Sequence, residues 1–187
     1  MKAIKAISVF FIFSLLLLSK PTSAQWEEGQ MNVYFSIPEI ALIDVEPSSS
    51  GSIHFTVAST GVSGESPRVV QTSDETLWIN YSSALSDRIH SRSIVAEILQ
   101  GLPEGMSMYL EASAYRGLGK GQVGQSAGKV NLTRQPQPII TGLGSCFTGD
   151  GINNGHSLSF SIEITDYAKI YAMEESELTV VYTITDN

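Results

Sequence analysis

The sequence predicts an all-β protein, an antiparallel β-sandwich of about 8–10 strands with at most one short helix. Apolar and polar residues alternate along most of the chain, and Gly, Pro, Asn and Ser cluster between the alternating runs. Because successive side chains of a strand point to opposite faces, alternation gives each strand one dry and one wet face. The chain has 187 residues, 42% of them hydrophobic, which is enough for the core of a single domain.

Residues 1–24 match the layout of a secretory signal peptide. Two lysines precede an uncharged run over 6–18, and the small residues 22–24 offer a cleavage site. The run is shorter than the roughly 20 residues that span a bilayer, which disfavours the alternative of an uncleaved anchor. We therefore expect a cleaved leader followed by a single β-sandwich domain at 25–187. That domain is expected to be secreted or held at the cell surface, with no transmembrane span after cleavage.

The chain is acidic, with 19 Asp and Glu against 11 Lys and Arg and a net charge of −8. Removal of the leader takes away lysines and no acid, so the secreted part is more acidic still. Nucleic-acid phosphates bind clustered Lys and Arg, whereas the bases of this chain are scattered. This distribution excludes nucleic acid as a partner and disfavours charge-driven binding to anionic membranes.

Each predicted strand follows from a run of alternate apolar residues. The clearest runs are Leu158 to Ile164 and Leu178 to Ile184. An outer-membrane barrel alternates too, but acids at wet positions, such as Glu111 and Glu163, favour a sandwich in water. A short turn or helix is expected after Asp166, which is a good N-cap residue. The other predicted strands cover 31–37, 40–45, 53–57, 69–70, 77–81, 94–98, 106–112, 130–132 and 139–140.

Two glycine motifs resemble catalytic signatures without their structural context. Residues 119–124 fit G-x-G-x-x-G, and residues 124–128 fit G-x-S-x-G with Asp150 and His156 following in order. Both motifs function between a strand and a helix, and no helical pattern follows either one. We therefore predict a flexible glycine-rich loop over 117–128, and we assign no catalytic residue and no cofactor.

No metal site is predicted. His54, His90 and His156 lack zinc-ligand spacing, so all three are expected to be solvated. The loop containing Asp150 and Asn153 offers oxygen ligands for calcium, but one carboxylate is a poor set, which favours a plain turn.

The lone cysteine, Cys146, has no partner within the chain for a disulfide. Burial beside Phe147 is the favoured interpretation, because free cysteine is among the most buried residue types. A disulfide to another chain stays open as the alternative.

Three aromatic residues fall at wet positions of the predicted strands: Tyr34, Trp78 and Tyr109. They either pack beneath loops or form an aromatic face that binds a ligand such as a glycan. Asn80 and Asn131 begin N-x-[ST] glycosylation motifs, which matter only in a host with that pathway.

The threonine-rich final strand, Leu178 to Thr185, resembles the closing strands of immunoglobulin-like fibre subunits and pilins among secreted bacterial surface proteins. The resemblance implies an immunoglobulin-like sandwich, protein partners or self-assembly at the cell surface, and no catalytic residues. It also implies that an exposed edge strand accepts a strand from another chain, with the segment 25–30 before the Met31 strand as the donated arm. The chain departs from such pilins in lacking the disulfide that they often carry.

We therefore expect a secreted non-enzymatic structural or adhesive surface protein. The alternative is an extracellular glycan- or ligand-binding β-sandwich module, based on the three aromatic residues. A small hydrolase is the least favoured of the three, because no convincing catalytic set is present.

Overall fold

The computed structural model describes residues 31–47, 52–72, 76–173 and 176–187. The predicted leader and the predicted arm at 25–30 lie outside these ranges. The chain divides into two compact units, Met1–Ser36 and Ile37–Asn187. Within the described ranges, no helix is both long and apolar enough to span a bilayer.

The described residues form eleven strands and one short 3₁₀ turn, Tyr167–Lys169, which confirms the all-β prediction. Asp166 caps that turn as expected, its side chain accepting the Ala168 N–H at 3.1 Å. The strands are β1 (Ile40–Glu46), β2 (Phe55–Ala58), β3 (Arg68–Gln71), β4 (Leu77–Ala84), β5 (Arg92–Ile98), β6 (Met106–Ala112), β7 (Lys120–Ser126), β8 (Lys129–Leu132), β9 (Gln137–Phe147), β10 (His156–Ile164) and β11 (Val180–Asp186).

The strands pair antiparallel in a sandwich-like arrangement. One layer runs β1-β4-β10-β6-β8, and the other runs β11-β5-β9-β7. The end of β9 also pairs with β4, at Ser83 and Cys146, so the hydrogen-bond ladder continues from one layer into the other. Strands β6 and β8 contact β9 without pairing to it, as expected for layers packed face to face. Strands β2 and β3 form a separate ribbon.

The core consists of the apolar residues that alternate toward the space between the layers. In β10 these are Leu158 and Phe160, and in β5 they are Ile94, Ala96 and Ile98. Burying one large apolar side chain stabilises the fold by about 1.5–3 kcal/mol, so each of these core side chains contributes measurably to the free energy of folding. This is the dry face that the alternation predicts.

The strand predicted at 31–37 is wrong as a description of the isolated chain, because residues 31–39 adopt no strand. The pattern is that of a strand, but alternation records only which residues would share a face. A strand also needs a neighbour for its N–H and C=O groups, and this segment has none among the described residues.

The flexible loop predicted at 117–128 is also wrong, because residues 120–126 form β7 against β9. Gly121 has φ +93°, and a Cβ there would collide with the carbonyl oxygen of Ser145. Glycine therefore permits the close approach of β7 to β9, where the register shifts between Gly121 and Val123.

Candidate functional site

The side of the sandwich at β1 and β11 is less completely covered than its centre. The two strands are in contact but do not pair with each other. Their inward residues are only partly buried, whereas the residues they pair with are buried completely or almost so. The partly buried set is Ile43, Val45, Val180, Tyr182 and Ile184. Apolar core is therefore accessible at this side.

One buried arginine ties these two strands together. Arg92 is 2% exposed, and its Nε donates to Asp186 Oδ1 at 2.7 Å. Its Nη2 donates to Glu39, and its Nη1 donates to the carbonyl oxygen of Ile40 and to Ser83 Oγ. The guanidinium thus fixes the start of β1 and the end of β11 at the same point. Two carboxylates compensate its charge, as a buried arginine requires.

The segment 31–37 has alternating apolar side chains that are exposed to solvent. Met31, Val33, Phe35 and Ile37 fall on one parity, and with Tyr34 they are between 72% and 89% exposed. The segment contains no charged residue. Exposed apolar surface of this extent is rare in monomers and usually marks an interaction site. The chain therefore presents both strand-competent apolar residues and an incompletely covered sheet edge.

The aromatic residues proposed as a ligand-binding face do not present an open flat surface. Trp78 is 6% exposed and lines a pocket of about 370 Å³ together with Ile152 and Asn153, so little of its ring is accessible to a ligand. Tyr109 is covered by Lys129, whose Nζ lies 4.3 Å from the ring centroid. Tyr34 is exposed, but it belongs to the other compact unit.

His156 is completely buried, which corrects the expectation that it is solvated. Its Nδ1 lies 2.7 Å from the Ser113 carbonyl oxygen, an acceptor only, so Nδ1 carries the proton. Its Nε2 lies 2.9 Å from Tyr81 Oη, which also contacts the Val123 carbonyl oxygen. Burial lowers the pKa of His156 below 6.5, although its backbone hydrogen bonds act in the opposite direction.

The hydrolase motif is not assembled. Both ring nitrogens of His156 are engaged by Ser113 and Tyr81, so this histidine is not available as a base for Ser126. Ser126 ends β7, where its hydroxyl accepts the Gly128 N–H at 3.0 Å. The glycines of both motifs lie in or beside a strand rather than before a helix.

Asn80 and the loop 149–155 form one hydrogen-bonded unit. The Asn80 side chain accepts the Gly151 N–H at 2.9 Å and donates to the Asn154 carbonyl oxygen. Among the residues the structure describes, no group of three His, Cys, Asp or Glu side chains is placed to hold a metal ion. Of the two glycosylation motifs, Asn80 is buried and Asn131 is exposed.

Cys146 is buried, as expected, and burial raises the pKa of its thiol. A buried neutral thiol is a poor nucleophile, so this environment disfavours a reactive role.

Sequence reasoning missed the inward position of Arg92 and wrongly placed His156 in solvent. Each shares the parity of the apolar residues in its own strand: Arg92 with Ile94 and Ala96, and His156 with Leu158. That shared parity is the signal that would have identified both as inward-facing polar residues.

Comparisons of the chain with protein-family models, with curated proteins and with solved structures found no match.

Proposed function

We propose that this chain is a secreted, non-enzymatic structural or adhesive surface protein that assembles through its 31–37 segment. The proposal is carried by two observations: the segment Met31 to Ile37 is exposed, uncharged and alternating, and the described strands of the sandwich include edges that no other described strand pairs with. Such a segment becomes a strand when another molecule supplies the missing backbone partners. The signal-peptide layout of residues 1–24 supports secretion.

A non-enzymatic role is supported by the way the polar side chains of the interior are used. Arg92, His156 and Asn80 are all bound to backbone or side-chain partners within the sandwich. The described residues with a buried polar side-chain atom leave none of these atoms without a hydrogen-bond partner. A catalytic group, in contrast, needs a free atom directed at a substrate.

The test compares the secreted chain with a variant lacking residues 25–37. The full chain is expected to form oligomers by light scattering. The deletion variant is expected to be monomeric and to keep the far-UV circular dichroism spectrum of a strand-rich fold. N-terminal sequencing of the secreted product checks cleavage before Gln25. An unchanged oligomer after the deletion would reject the proposed assembly.

A matched pair of substitutions separates assembly from folding. Phe35→Asp places a charge on the apolar parity of the segment, and Ser36→Asp places the same charge on the opposite parity. Because the Phe35 side chain is exposed, neither variant should change the free energy of unfolding of the monomer. We expect Phe35→Asp alone to lose assembly. Equal loss in both variants would indicate a nonspecific charge effect, and glycan-array binding by the monomer would favour the ligand-binding alternative.

A further inference from the structure

We propose that the acceptor of the 31–37 segment is the free edge of β11 in a second copy of this chain. The inference rests on the proposed assembly and names the strand that receives the segment. Strand β11 pairs with β5 on one side only, among the described strands. Its other side therefore offers backbone N–H and C=O groups to an incoming strand.

The other edges of the described strands carry features that oppose strand addition. Strand β7 has a register shift at Gly121, and β8 has four residues and begins with Lys129. Strands β2 and β3 also have four residues each. Strand β1 carries the exposed acid Asp44. Short length, bulges and charged side chains are the devices by which sheet edges avoid pairing with other chains.

Strand β11 lacks these features. Its seven residues pair with β5 in a register without interruption, which keeps its free side regular. Val181, Thr183 and Thr185 occupy the parity away from the core, and β-branched residues favour extended backbone. Its one acid, Asp186, is bound to Arg92, so its charge is compensated.

The segment and the acceptor match in length and pattern. Both have seven residues, and the segment carries four apolar side chains on one parity. An added strand whose apolar side chains point inward would cover Val180, Tyr182 and Ile184, which are only partly buried. The segment brings no charge to an edge that adjoins Glu39 and Asp186. Main-chain pairing then supplies affinity, and the alternate side chains supply specificity.

Cysteine cross-linking between separately produced chains tests this acceptor. Tyr34 is the central residue of the segment, and Thr183 is the central residue of β11. If the two strands pair centre to centre, these residues face each other in both the parallel and the antiparallel orientation. Tyr34→Cys and Thr183→Cys are each made in a Cys146→Ala background, secreted from separate cultures, mixed and mildly oxidised. The controls replace Thr183→Cys with Asp44→Cys on β1 or Asn131→Cys on β8.

We expect a disulfide-linked heterodimer with Thr183→Cys in excess over both controls, and its loss when Phe35→Asp is added to the Tyr34→Cys chain. If the chains oligomerise but link in excess at Asp44→Cys or Asn131→Cys, the acceptor is wrong and the proposed function stands. If the chains stay monomeric and unlinked, both fail. A double variant carrying both cysteines that links within one chain of monomer mass would show that the segment occupies its own β11, which overturns the second copy as partner.

Discussion

Two stretches of this chain share one pattern and reach opposite outcomes. In β10, Leu158 and Phe160 alternate with serines and are buried at 3% and 8% exposure. In the segment 31–37, Val33 and Phe35 alternate in the same way and are 72% and 86% exposed. The difference is the neighbours, since β10 lies between β4 and β6 and the segment has no paired strand among the described residues. Alternation therefore encodes the ability to pair, and the presence of a partner decides burial.

The largest expected effect comes from replacing the two phenylalanines of this comparison. Phe160→Ala should lower the free energy of unfolding by about 3–5 kcal/mol, because it leaves a cavity between packed layers. Phe35→Ala should leave that free energy within about 0.5 kcal/mol, because its side chain has no core contact to lose. Urea unfolding at a concentration that keeps both variants monomeric measures the difference. Equal destabilisation by the two substitutions would contradict the contrast.

Arg92 is a polar residue at an inward-facing position of β5, so it tests what burial of a charged side chain contributes to stability. Arg92→Ala should cost about 1.5–3 kcal/mol, the range for hydrogen bonds to charged groups. The loss stays below that of a fully buried ion pair, because Glu39 and Asp186 are 43% and 56% exposed and regain water. Arg92→Lys serves as the control, since it keeps the charge but cannot reach all partners at once. A stability equal to that of the unmodified chain would show that the cluster contributes nothing to folding.

Because His156 is buried with the inward-facing residues of β10, we expect the free energy of unfolding to decrease in acid. Burial places its folded-state pKa below the value of 6.5 expected in the unfolded chain. As the pH falls from 6.5 to the folded pKa, the unfolded state binds the proton first, so stability decreases by up to about 1.4 kcal/mol per pH unit. Well above pH 6.5, where the histidine is neutral in both states, it contributes no pH dependence. Urea unfolding between pH 5 and pH 8 measures the slope, and His156→Gln should flatten it. A slope that survives this substitution would assign the acid sensitivity to other groups.

The smallest effect is expected on the exposed outer face. Lys129 bonds Glu163 at 2.5 Å and lies over Tyr109, but both ends of the ion pair are about half exposed. Because water and salt screen such a pair, Lys129→Ala should leave the urea midpoint unchanged. A clear shift of the urea midpoint in Lys129→Ala would show that the exposed outer face contributes to the free energy of folding.

Most strands could be predicted from the sequence, because each of them hides one parity against a second layer. The 31–37 segment has the same local pattern, so no local rule distinguishes it from β10. Strand β7 escaped prediction because Gly121 and Gly124 interrupt its alternation, and their close approach to β9 is a property of the assembled fold.

The site was predicted less well than the fold. The sequence placed Trp78 on the parity opposite to Leu77 and Ile79, but the pocket that Trp78 lines is completed by a loop more than 70 residues away in the chain. His156 and Arg92 were visible as polar residues on apolar parities, yet their partners, such as Tyr81 and Asp186, are set by the tertiary pairing of strands. The position of a polar residue in an alternating strand predicts that its side chain points inward. Only the fold shows which groups form hydrogen bonds with that side chain.

The position of Arg92 has a consequence for rearranging the chain. One guanidinium holds Glu39, at the entrance to β1, and Asp186, next to the last residue. Strand β1 therefore begins near the point where β11 ends, so a short glycine linker can join residue 187 to residue 39. New termini opened at the exposed turn 61–64 would then give a circular permutant that keeps every ladder of the large sheet.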